Sequence, residues 1–190
     1  MEMNDTFNIA PLDVDTPAPK PHKNKSSKAN KPIIGFRTAS RLIAVQGLYA
    51  MELTKKRPSE IIQEITALHE TATDAMDDPV MNEAMHRSSE NFDCDYAVSL
   101  LHGVVREQRV IDPLICDTLP EKWTFNRLDK VMCSILRAGI YELLFSPDIP
   151  PKVIINEYTN IGSSFQLNDN NALINGVLNS VYHANHDIMG

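Results

Sequence analysis

From Arg127 to Val181 the chain carries three segments of helical period in succession, separated only by short polar or proline-bearing breaks. In the first, Leu128, Val131, Met132, Ile135, Leu136, Ile140, Leu143 and Leu144 recur at spacings of three, four and seven. That spacing collects them on one side of an α-helix, and so wide an apolar face belongs to a helix at the centre of a bundle. Gly139 lies inside it, where it lowers helix propensity by ~1 kcal/mol relative to alanine, so a close helix contact is expected there. Ser146-Pro147-Asp148-Ile149-Pro150-Pro151 then stops the helix, because proline cannot extend the backbone ladder. A second segment follows with Val153, Ile154, Ile161 and Phe165, and a third with Leu173, Ile174, Val177, Leu178 and Val181. A side-chain oxygen of Asn168 or Asp169 is placed to cap the third.

The upstream chain repeats this pattern less densely. A helix is predicted from about Arg37 or Thr38 to Leu53, with Leu42, Val45, Leu48, Tyr49 and Leu53 on one stripe. Pro58 suits the first turn of a second, with Ile61, Ile62, Ile65 and Leu68 on its face. A long pattern runs from Phe92 to about Leu119, and Pro113 is expected to kink or interrupt it. Trp123 and Phe125 read as a connector packed on the core. Residues 71–91 read as a solvated connector; Met76, Met81 and Met85 suit a short helix, and Asp74, Asp77 and Asp78 lack the spacing of a calcium loop. No strand-like alternation of useful length occurs. The fold class is therefore all-α, one domain of about six to seven helices over residues 35–185. Residues 1–34, rich in Pro, Lys, Asn and Ser, are expected to form a disordered arm, and 186–190 a short tail.

Charge is divided unevenly. The net charge is −7, yet between Lys20 and Arg41 there are seven Lys or Arg and no acid, while residues 42–190 hold 11 basic and 21 acidic side chains. A basic arm on an acidic body suits a polyanion partner, or serves only to solubilise a tail. Arg37 and Arg41, four apart, are expected to share a face at the start of the first helix. There two cations oppose the macrodipole by ~0.3–1 kcal/mol, which a docked anion would relieve; the plain alternative is that both are solvated. No apolar run approaches the ~18–20 residues that span a bilayer, and the first 20 residues do not read as a secretory signal. Three dispersed cysteines without a CxxC read as reduced thiols in a cytoplasmic protein.

Catalytic patterns are missing: there is no Walker loop, GxGxxG, HExxH or GxSxG. His183 and His186 alone do not make a metal site. Cys133, amid apolar residues, reads as buried, and Glu157 has no evident partner. With no catalytic residue, cofactor or metal indicated, a binding protein is expected rather than an enzyme.

Four stretches together resemble the NusB family of bacterial transcription antitermination factors. They are Arg37 to Tyr49, with Ala44-Val45-Gln46-Gly47-Leu48-Tyr49; Leu128-Asp129-Lys130-Val131 through Ile135-Leu136-Arg137 to Tyr141-Glu142-Leu143; Ile149 to Glu157, with Pro151-Lys152-Val153-Ile154-Ile155-Asn156-Glu157; and Ser164-Phe165 followed by Ile174-Asn175-Gly176-Val177-Leu178. Order and spacing agree from about Arg37 to Val181. The resemblance implies two packed helical bundles, binding of single-stranded boxA RNA of rRNA leader transcripts, and a heterodimer with NusE, a small-subunit ribosomal protein. It also implies work within the RNA polymerase elongation complex alongside other Nus factors, with no cofactor. Residue by residue it points to Arg37 and Arg41 for RNA, and to Asp169, Asn170 and Asn171 before and at the last helix; by charge, Lys28 and Lys31 of the arm (with Lys25) suit an extension of that footprint along the RNA backbone. Tyr49 matches a family position associated with function, and its place on the apolar stripe suits packing equally. Two departures stand out. Ala172 replaces a lysine of some relatives, and Met132-Cys133 replace a commonly charged pair in a region expected near NusE. Two alternatives stay open: the helical region of an rRNA cytosine methyltransferase, which shares this fold, and a helical scaffold without RNA, homodimeric through exposed apolar faces.

Overall fold

The computed structural model describes residues 35–75, 92–165, 167 and 170–189. The described residues form six α-helices and one 3-10 turn: α1 Phe36–Thr54, α2 Pro58–Ala75, α3 Cys94–Thr118, the turn Phe125–Arg127, α4 Lys130–Phe145, α5 Pro151–Ser164 and α6 Asn171–Met189. No strand occurs among them, as the periodicity predicts.

Several helix ends have a local cause. The Asp93 carboxylate accepts from the Tyr96 N–H and starts α3, and Asp129 accepts from the Val131 N–H and starts α4. Pro151 opens α5, where a missing N–H is harmless. Lys55 closes α1 in a left-handed conformation (φ 58°), with its N–H on the Met51 carbonyl.

Helices α1, α2 and α3 pack as one group and α4, α5 and α6 as another, joined by α4 lying against both α1 and α3. Ten of the sixteen residues of α4 are buried, which makes it the central helix the apolar spacing predicts. Each group has a glycine where helices meet. A Cβ on Gly47 would stand 2.7 Å from Leu101 of α3 and 3.0 Å from Ile61 of α2; one on Gly139 would stand 2.9 Å from Leu178 of α6 and 3.2 Å from Tyr158 of α5. Both contacts lie in closely packed interior, where an added methyl has to push neighbours off their rotamers.

Several local expectations change. Pro113 does not interrupt α3, which runs through it to Thr118; Ile111 and Ile115 on either side are fully buried, and their burial offsets a missing hydrogen bond. Leu53 and Leu68 leave their stripes and are exposed, as is Val153. Helix α2 continues into the stretch expected as a connector, to Ala75, and α6 runs to Met189. Trp123 and Phe125 do pack against the core. Residues 1–34, with Lys25, Lys28 and Lys31, and residues 76–91, with Met76, Met81 and Met85, lie outside the described residues, as do Asn168 and Asp169. Among the described residues, no helix is long and apolar enough to cross a membrane.

Candidate nucleic-acid interface

Arg37 and Arg41 stand one turn apart on α1, and the fold treats them oppositely. Arg37 is exposed. Its guanidinium lies over the Tyr96 ring of α3, 5.1 Å from the centroid, a distance at which a cation is held by the ring face.

Arg41 is 3% exposed and turns inward. Its Nε donates to Glu142 Oε2 at 2.9 Å and its Nη2 to Oε1 at 2.6 Å, a two-pronged pair with a fully buried carboxylate of α4. Nη1 reaches Glu157 Oε2 of α5 at 3.3 Å, and Nη2 the Tyr96 hydroxyl oxygen at 3.3 Å. The Tyr96 hydroxyl donates to Glu142, and the Thr38 hydroxyl to Glu157 at 2.6 Å. Burial works to lower the Arg41 pKa, but Glu142 outweighs it and holds the guanidinium firmly charged. Burial, then Glu142, raises the Tyr96 phenol; the same two causes raise that of fully buried Tyr158. Arg37 and Arg41 do share a face of α1, both beside the Tyr96 ring, but Arg41 is buried rather than solvated. A buried carboxylate on α4 requires a paired cation, and Arg41 supplies it.

Sequence reading missed this cluster because its members lie far apart in the chain: Arg41 and Glu142 are 101 residues apart. A signal was present all the same. Glu142 interrupts the apolar face of α4 between Ile140 and Leu143, and a charge there demands a partner. Arg137 on the same helix obeys the same rule. It is 8% exposed and donates to Asp112 at 2.7 and 3.0 Å and to Glu52 at 2.8 Å. Met132 and Cys133, expected near a partner surface, are both buried in the chain alone. Burial raises the Cys133 thiol.

At the start of α6, Asn170 and Asn171 are half-exposed. The Asn171 amide donates to Ser163 Oγ of α5 at 2.7 Å, and its Oδ1 is buried against Gly162, where a Cβ would come within 2.6 Å. That amide ties α6 to α5, leaving Asn170 the more available of the two side chains. Ala172 beside them is exposed. Helix α5 thus contacts both candidate regions, through Glu157 to Thr38 and through Ser163 to Asn171. Those two positions are ~9 Å apart along its axis at ~1.5 Å per residue. No group of three or more His, Cys, Asp or Glu able to hold a metal occurs among the described residues.

Residues 38–183 match the NusB family. The chain is 37% identical over 145 residues to the transcription antitermination protein NusB of Mesorhizobium japonicum, covering 76% of this chain and 87% of that one. Among solved structures, T. maritima NusB superposes with a TM-score of 0.58 at 27% identity, over 77% of this chain and 90% of that one. A complex of the antitermination factors NusB and NusE with dsRNA shares the fold, with a TM-score of 0.59 at 24% identity over 78% and 97% of the two chains.

Proposed function

The chain belongs to the NusB family, and from that premise we propose that it is a transcription antitermination factor. It binds boxA RNA of rRNA leader transcripts together with NusE and keeps the RNA polymerase elongation complex, with other Nus factors, resistant to termination. It acts in the cytoplasm as a binding protein without turnover.

The observation that carries this reading is the family match itself. It spans most of the helical domain, including most of α1 and α6, and relatives matched over most of their own length are named antitermination proteins. NusE is carried over from the family, one member of which was solved with NusE and dsRNA. The side chains offered to solvent suit the role. Arg37 presents a guanidinium to phosphate or base, and Asn170 an amide able to donate and accept at a base edge. Lys28 and Lys31 of the arm extend the cationic track, and Asp169 accepts from a base. Arg41 serves the same surface from beneath, by fixing α1 to α4 and α5.

The test is co-purification with NusE and boxA RNA, followed by competition with scrambled RNA. The expected result is a ternary complex that boxA displaces and scrambled RNA does not, with tighter RNA binding when NusE is present. Equal displacement by both RNAs would sink the boxA assignment. A titration in which NusE shifts nothing would sink the heterodimer.

A further inference from the structure

Tyr96 of α3 lies under the Arg37 guanidinium and is tied down at both its backbone and its hydroxyl. Its backbone N–H donates to Asp93 Oδ1 at 3.0 Å. The Asp93 N–H donates in turn to Ser40 Oγ of α1 at 2.8 Å, and Ser40, fully buried, donates to the Phe36 carbonyl at 2.9 Å. The start of α3 is thereby hydrogen-bonded to the turn of α1 that bears Arg37. At the other end of the side chain the hydroxyl donates to Glu142 and accepts from Arg41. The ring is fastened at both ends, half-buried, with the Arg37 guanidinium against it.

We propose that Tyr96 is a positioning residue for RNA binding: its anchored ring holds the Arg37 guanidinium in place before RNA arrives. This rests on the function proposed above and deepens it. An exposed arginine has many rotamers, and confining it on binding opposes affinity; holding it beforehand removes part of that loss. A guanidinium resting on a ring keeps its edge N–H groups for phosphate and its outer face for an unstacked base. Lysine has no such plane, so the charge alone does not reproduce the arrangement. The buried Arg41–Glu142 pair then acts on RNA indirectly, because it fixes the hydroxyl that fixes the ring.

The test is a double-mutant cycle on the full chain with NusE, read as boxA RNA affinity by fluorescence anisotropy, with a thermal melt of each variant. Arg37→Ala should weaken binding ~10-fold, within the range for one stacked contact. Tyr96→Leu should weaken it ~2- to 5-fold, the size of an exposed cation–π contact, while Tyr96→Phe, which keeps the ring but loses its hydroxyl anchor, should fall between Tyr96→Leu and wild type. In the double variant Tyr96→Leu should add nothing to Arg37→Ala. Arg37→Lys, on an exposed residue and safe for folding, should lose most of what Arg37→Ala loses. Additive losses in the cycle, or wild-type affinity in Arg37→Lys, would overturn the positioning role while leaving boxA binding intact. An unaffected Arg37→Ala would overturn the role of both residues. A wild-type chain that ignores boxA would overturn the functional reading beneath them.

Discussion

Arg37 and Arg41 differ by one helical turn and by almost everything else. They carry the same charge on the same helix, beside the same tyrosine. One is open to solvent; the other is enclosed and paired with Glu142 and Glu157. The difference shows that a pair of arginines at a helix start carries two kinds of information. The buried one is dictated by a carboxylate elsewhere in the fold, and only the exposed one is available to a ligand. The macrodipole penalty at α1, which a docked anion would relieve, is met at Arg41 by the protein's own acids.

The comparison breaks most readily at Arg41. Arg41→Ala leaves Glu142 buried without its cation and should lower unfolding stability by ~3–5 kcal/mol, measured by urea denaturation. A loss below ~1 kcal/mol would mean that the pair is dispensable. Arg37→Glu should do the reverse: boxA affinity falls at least ~10-fold at low salt, as expected for a lost phosphate-directed contact, while the thermal midpoint stays near wild type. A double reversal of Arg37 and Arg41 would confuse the two effects, since a glutamate at 41 would face Glu142 and Glu157.

Two smaller effects extend each side of the comparison. Arg137 is a second enclosed arginine, and its hydrogen bond to Glu52 chiefly holds that carboxyl below its ordinary pKa. A depressed acid pKa contributes stability that is present above the ordinary glutamate range and lost as pH falls through the lower folded value. Acidification from about pH 6 to pH 3 should therefore lower the urea midpoint more in wild type than in Glu52→Gln; equal losses would count against the link. On the exposed side, Ala172→Lys adds a cation beside Asn170 and Asn171. It should tighten boxA binding ~2-fold at low salt, the scale of one surface charge pair, and the gain should fade as salt rises.

The helices were legible because each has its own apolar stripe, and the stripe is local: α4 could be drawn from eight residues between Leu128 and Leu144. Caps such as Asp129 are local as well. The direction in which a polar side chain points is not, because it depends on what another helix presents. Spacing put Arg41 beside Arg37, and only packing against α4 and α5 turned it inward. Leu53 and Leu68 escaped their stripes for the same reason, since apolar spacing states what could be buried and not what finds a partner. Glu157 belongs to a family-like motif yet showed no partner in the sequence; the fold gives it Thr38 and Arg41. Asn170 and Asn171 were legible as the start of α6, but not the commitment of Asn171 to Ser163.

The division of labour along α1 is tested most directly by the salt dependence of boxA RNA binding in Arg37→Ala. If Arg37 meets a phosphate and Arg41 does not, the slope of log affinity against log salt should fall by ~0.7, the value for one lost single-strand contact, with unfolding stability unchanged. An unaltered slope and affinity would contradict it.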